Sequence, residues 1–170
     1  MERTLTEVKI RRQKVASATG SEPVFCCEVL MTETTKAPEF IDITDEVAEI
    51  VADSGAWCGQ VTVFSGHTTA AIKVNEHEPL LLGDLARVIS DLAPAHAEYD
   101  HNDFSRRTVN MEEDECANGH AHCQHLFLST SETIPIIDGR MALGQWQRIF
   151  LVELDRPRER KVLVNVVGVR

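Results

Sequence analysis

The C-terminal third of the chain restricts the fold most, because short β-prone apolar runs alternate there with turn signals. Ile134 to Ile137 is followed by Asp138-Gly139, and the run resumes at Met141. Asp-Gly suits a tight turn with positive φ, so this segment predicts a hairpin. Ile149-Phe150-Leu151-Val152 and Val162 to Val167 are further apolar strands, joined by the charged turn Asp155 to Arg160. Together they predict a C-terminal antiparallel meander. Upstream, Phe40 to Ile43 alternates like a strand, as does Gln60 to Phe64, and after a break at Gly66 the run Thr69 to Val74 is again extended.

Two segments have helical periodicity instead. Thr44 or Asp45 is placed to cap a helix in which Val47, Ile50 and Val51 share one face, with Gly55 as its stop. Pro79 suits the first turn of a second helix carrying Leu81, Leu82, Leu85, Val88, Ile89 and Leu92 to a stop near Pro94. Strands with two or three helices make the expected class α+β.

A length of 170 residues suits one domain with a buried core. Residues 1–25 are expected to be an N-terminal extension, either mobile or an extra strand, ahead of a domain over 26–170. The chain has no apolar run able to span a bilayer, and residues 1–20 lack a continuous apolar stretch of the signal-peptide kind. A net charge of −10 argues against nucleic acid as a partner, since phosphate-backbone binding needs clustered Lys and Arg. Arg106-Arg107 and Arg156 to Lys161 are basic only locally; the second cluster is expected to be a solvated turn, and either would suit a small phosphorylated ligand. Cysteines at 26, 27, 58, 116 and 123 form an odd set without CxxC spacing, so a disulfide framework is not expected and a reduced compartment, the cytoplasm, is. Cys123 is read as a small apolar residue, with a ligand or nucleophile role as the alternative.

Candidate chemistry gathers in two polar interruptions. His67 stands in Ser65-Gly66-His67-Thr68-Thr69, where a glycine kink would push His67 and the threonines into a cleft; Thr69 suits an ordinary strand equally well. His101, His120, His122 and His125 crowd residues 99–125 beside Asp100, Asn102, Asp103 and Asn118. Histidine is a common metal ligand and titrates near neutral pH. On a strand His120 and His122 would share a face and grip one metal; on a helix they diverge by ~200°. The helix is favoured, with Asn118 as N-cap and exposed first-turn amides as a phosphate site. His101 would then pair with one of His120 and His122, and zinc, which takes three or four ligands, would need His67, Asp103 or a water as well. Trp146 is placed to stack on an aromatic ligand, with Gln145 and Gln147 hydrogen-bonding it; a buried core tryptophan is the alternative.

Taken in order, several segments resemble the YjbQ family from about Phe40 to the C-terminus. They are His67 to Ile72 with Asn75-Glu76, Tyr99 and His101, Asn118 through His122, Gly144 with Trp146-Gln147, and Glu153-Leu154-Asp155 with Pro157-Arg158. The resemblance implies a YjbQ-like single domain with a β-sandwich-like antiparallel or mixed sheet, assembled as a homotrimer. It also implies a weak secondary thiamine-phosphate synthase activity, joining hydroxymethylpyrimidine diphosphate to thiazole phosphate with release of pyrophosphate. Carried onto this chain, His67, Thr68, Thr69 and His101 are the expected catalytic residues, and Asn118, Trp146 and Gln147 the phosphate- or ligand-binding ones. His101, His120 and His122 are the expected ligands of a divalent metal, zinc or magnesium, a choice that rests on chemistry rather than on the resemblance.

Three positions depart from the family pattern. Gln145 replaces a usual threonine. Gln124 replaces a common lysine, which removes a charge next to the expected anion site. Gly119 replaces an alanine, which loosens the helix start by ~1 kcal/mol. The expected function is therefore transfer of thiamine-phosphate synthase type on a small phosphorylated molecule. The rivals are a trimeric metal- or ligand-binding protein without turnover, and a metal-dependent hydrolase of a phosphorylated metabolite.

Overall fold

The structure is a computed structural model and describes residues 22–170. Its strands, labelled in chain order, form two antiparallel sheets. The larger runs β1 (Pro23–Glu33), β8 (Glu159–Val169), β3 (Cys58–Ser65), β5 (Ser131–Ile137) and β6 (Arg140–Met141). The smaller runs β2 (Glu39–Asp42), β7 (Gln147–Glu153) and β4 (Ala70–Glu76). Helices α1 (Thr44–Ser54), α2 (Pro79–Leu92) and α3 (Gly119–His125) and a 3-10 turn at Asp100–Asn102 complete the described elements. The class is α+β, as the residue pattern implies.

The smaller sheet is covered on both faces. Ile149 and Leu151 of β7 join one apolar cluster with Val61, Val63, Val164 and α1, while Phe150 and Val152 join another with Ile89 of α2 and Ala121 of α3. A continuous apolar run is what such a doubly covered strand requires. β8 alternates instead: Val162, Val164 and Val166 are fully buried, and Lys161, Leu163 and Val167 between them are exposed. That difference corrects the expected meander. β7 and β8 lie in different sheets, and the charged turn between them crosses from one sheet to the other.

β1 pairs with β8 over its whole length, from Pro23 opposite Val169 to Glu33 opposite Glu159. The expected extension over residues 1–25 lies outside the described residues up to residue 21, and β1 already begins at Pro23. The Asp138-Gly139 hairpin is present, with φ of 50° and 75°. The start of α1 lies earlier than the residue pattern suggests. Neither Thr44 nor Asp45 caps α1; the Asp42 carboxylate accepts from the Thr44 amide at 3.0 Å and from its hydroxyl at 2.6 Å. Burial pushes Asp42 upward, but hydrogen bonds from Arg148, Thr44 and His77 outweigh it and hold its pKa at about 2. α2 does begin at Pro79, and Glu78 accepts from the Leu80 and Leu81 amides. All five cysteines are free. No helix among the described residues is long and apolar enough to cross a membrane.

Candidate functional site

Several chain segments converge on one cleft of about 440 Å³. The link from β3 to β4 brings His67, Thr68 and Thr69, the 3-10 turn brings His101, and the start of α3 brings Asn118 and His122. The loop before α3 contributes Arg107 and Glu115, and the β7–β8 connection contributes Arg158 and Arg160.

The floor is a buried ion pair. Arg160, 2% exposed, donates through Nε to Glu153 Oε2 at 2.6 Å and through Nη2 to the Thr69 hydroxyl at 3.0 Å. Glu153 is fully buried and also accepts from Thr34 Oγ1 and from the Leu154 and Asp155 amides. Burial alone would raise its carboxyl, yet the Arg160 hydrogen bond and the backbone donors hold it below the usual carboxylate range. Thr69 is thus bound into the floor through its only hydroxyl.

The imidazoles have different environments. His67 Nε2 accepts from the Lys161 amide at 3.1 Å, so the neutral ring carries its proton on Nδ1. Burial first, and then the Arg160 charge, push its pKa down. With Nε2 accepting from that amide, Nδ1 is the other polar atom of the ring. His101 and His122 lie with ring centroids 4.7 Å apart, edge to face. Burial, followed by the neighbouring His101 and Arg107, lowers the pKa of His122, so its ring is neutral at pH 7.

Several buried polar atoms of the cleft find no partner among the described residues: Arg107 Nη1, Arg158 Nε, Asn118 Oδ1 and His101 Nε2. Leaving such a group unmade costs about 1–3 kcal/mol. Two are donors on guanidinium groups and one is an amide acceptor.

α3 is helical, as favoured, and it separates His120 from His122. His120 does not line the cleft, and its buried Nδ1 has no partner among the described residues. The expected metal set of His101, His120 and His122 is therefore not assembled: two imidazoles meet, and the described residues offer no group of three His, Cys, Asp or Glu disposed to hold a metal. The expected phosphate site at the helix start also changes. α3 has only seven residues, Asn118 makes no side-chain cap, and the Gly119 amide donates instead to Asn102 Oδ1 at 2.8 Å. Gln124 lies away from the cleft, 2% exposed, and donates to the Ala93 carbonyl at 2.9 Å. Its replacement of lysine removes no charge from this site. Trp146, 64% exposed, lines a separate cleft with His77 and Arg148, and Gln147 Oε1 closes a turn by accepting from the Gly144 amide. Neither reaches the histidine cleft within the chain.

Gly119 is not a loosening substitution. A Cβ there would sit 2.6 Å from Tyr99 Cβ and 3.1 Å from Asn102 Oδ1, the atom that caps the helix. Overpacking of this kind typically costs about 1–3 kcal/mol, more than the ~1 kcal/mol that alanine gains in helix propensity. A Gly119→Ala protein is expected to melt below the wild type in a thermal scan; an unchanged or higher midpoint would show that Tyr99 gives way.

Arg106-Arg107 and Arg156 to Lys161, expected to be basic only locally, the second as a solvated turn, and to suit a small phosphorylated ligand, supply Arg107, Arg158 and Arg160 to the cleft. Arg160 is almost fully buried and Arg107 is only 15% exposed in its side chain, paired with Glu153 and Glu115 respectively.

Residues 28–169 match the family described as UPF0047 protein YjbQ-like. A UPF0047 protein of Methanothermobacter thermautotrophicus is 38% identical over 139 residues, covering 82% of this chain and 90% of its own length. One from Bacillus subtilis is 32% identical over 142 residues, covering 83% and 98%. The crystal structure of a Sulfolobus solfataricus protein of unknown function superposes with a TM-score of 0.78 at 34% identity, over 86% of this chain and 99% of that one. A hypothetical protein from Aeropyrum pernix does so with a TM-score of 0.74, also at 34% identity, over 84% and 98%.

Proposed function

The chain belongs to the UPF0047 YjbQ-like family, and from that premise we propose that its cleft binds a small phosphorylated metabolite and expels a phosphate or pyrophosphate group from it. One observation supports this reading most: Arg107, Arg158 and Asn118 line the same cleft, and each carries a buried polar atom without a partner among the described residues. Hydroxymethylpyrimidine diphosphate has both complements, a diphosphate for the arginines and an exocyclic amino group for Asn118 or His122. In the transfer, the thiazole nitrogen forms a bond to the pyrimidine methylene carbon. The carbon–oxygen bond to diphosphate breaks, and pyrophosphate leaves with the electron pair. The arginines and the His67 Nδ1–H would stabilise the charge growing on the departing oxygens. A neutral His122 would accept from the amino group as positive charge develops on the ring.

The test supplies the two substrates to the purified protein and measures thiamine phosphate and pyrophosphate, alongside the metal content of the sample. Equimolar products support transfer. Phosphate or pyrophosphate released without thiazole phosphate would instead favour the hydrolase, and saturable binding without product the binding protein. Zinc or magnesium at one ion per chain would support a metal on His101 and His122, where it would act by neutralising phosphate charge.

The homotrimer and the cytoplasmic location belong to the same proposal. The outer face of the larger sheet exposes Phe25, Val29, Met31, Leu163 and Val167, with Phe25 at 74% and Met31 at 65%. A patch of this kind suits burial against another copy. Sedimentation of the full chain at micromolar concentration checks it, and a monomer would remove the trimer from the proposal.

A further inference from the structure

We propose that Glu115 is a resident stand-in for the ligand's anionic group, holding Arg107 until an incoming diphosphate displaces it, and that this competition restricts the cleft to multiply charged anions. The inference rests on the phosphate-binding reading of the same cleft.

Three arginines line the cleft, and each has a carboxylate partner: Glu115 for Arg107, Asp155 for Arg158 and Glu153 for Arg160. Two of those carboxylates are buried where β7 ends, Glu153 in its last position and Asp155 just beyond it. Glu153 is fully buried and bonded to two backbone amides, and the Asp155 side chain is 3% exposed. Glu115 differs. It lies in irregular chain before α3, pairs with Arg107 at 3.1 Å, and its carboxylate has no other hydrogen-bond or ion-pair partner among the described residues. Both side chains line the cleft, and they are only 15% and 16% exposed.

Arg107 is held from a second direction. Its Nη2 donates to the Asn110 carbonyl at 2.7 Å, and the loop is tied outside the cleft by Arg156 to Asp114 at 3.4 Å. The guanidinium can therefore keep its place when Glu115 moves, and Nη1 is already buried without an acceptor. With all three carboxylates in place, each arginine charge is matched. A singly charged ligand gains little by replacing Glu115, because one carboxylate is exchanged for one anion. A diphosphate brings more charge and several oxygens, enough for Arg107 and Arg158 together.

Calorimetric titration of the full chain with inorganic pyrophosphate tests this, using the wild type, Glu115→Gln and Glu115→Asp. Glutamine keeps the shape and removes the charge, so affinity is expected to rise about tenfold, while Glu115→Asp shows no such gain. Arg107→Gln is expected to lose most of the binding. Wild-type binding with Glu115→Gln unchanged or weaker would overturn the inference and leave the phosphate-binding reading standing. A tenfold gain shared by Glu115→Asp would overturn it too, because loop opening rather than charge would be the cause. Absence of pyrophosphate binding in both wild type and Glu115→Gln would overturn the reading and the inference together. If Glu115→Gln fails to fold by circular dichroism, Glu115→Ala takes its place with the same expected sign.

Discussion

An Arg160→Met protein is expected to lose about 3–5 kcal/mol of stability, and with it roughly 10 °C of Tm. Methionine has a similar length, so the loss comes from charge rather than from volume. Glu153 would be left fully buried with its main counter-charge gone, and only Thr34 and two backbone amides would remain as donors. The Thr69 hydroxyl would lose its donor as well.

The pH dependence provides an independent check. Glu153 has a folded-state pKa below its ordinary value, so it contributes stability above its unfolded pKa and loses that contribution as pH falls through the folded pKa. The gap between wild type and variant should therefore be largest near neutral pH and narrow below about pH 4. Urea unfolding at the two pH values measures it. A gap that does not change with pH would mean that Glu153 titrates normally in the fold. Replacing both partners with apolar residues, Arg160→Met with Glu153→Leu, is expected to recover much of the loss, because a buried pair stabilises little beyond a well-packed apolar substitute.

On the proposed transfer reaction, a His122→Ala protein is expected to lose on the order of a hundredfold in turnover with its fold intact. His122 is the cleft imidazole with the clearest reason to be neutral: burial, then His101 and Arg107 beside it, depress its pKa. A neutral ring accepts a hydrogen bond, and a protonated one does not. Wild-type turnover should therefore fall as pH drops through a value below that of ordinary histidine. His122→Gln separates the causes, since its amide oxygen accepts but does not titrate. It is expected to retain more activity than alanine and to lose the acid limb of the profile. An acid limb that persists in His122→Gln would transfer the titrating role to another group.

Much of the cleft's imidazole side was legible along the chain. His67, Thr68, Thr69, His101, Asn118 and His122 were singled out from polar interruptions in apolar periodicity, and the structure gathers all six. The arginine side was not. Arg107 and Arg160 follow ordinary charged segments, and a charged residue in a turn is solvated unless a partner from elsewhere buries it. Thr69, 91 positions from Arg160, supplies part of that burial. Trp146 and Gln147 stood out along the chain as the histidines did, yet Trp146 lines a different cleft and Gln147 closes a turn on the Gly144 amide.

By itself the sequence determined the strand and helix pattern from Phe40 onward, the Asp138-Gly139 hairpin, the Pro79 helix start and the helical separation of His120 from His122. These follow from period, turn chemistry and the geometry of a helix, which act within a few residues. Only the tertiary structure decided that β7 and β8 part into different sheets, that Asn102 rather than Asn118 caps α3, that Gly119 exists to admit Tyr99, and that each cleft arginine finds a carboxylate. Those outcomes depend on which distant surfaces exclude water from one another. Local spacing carries no record of that.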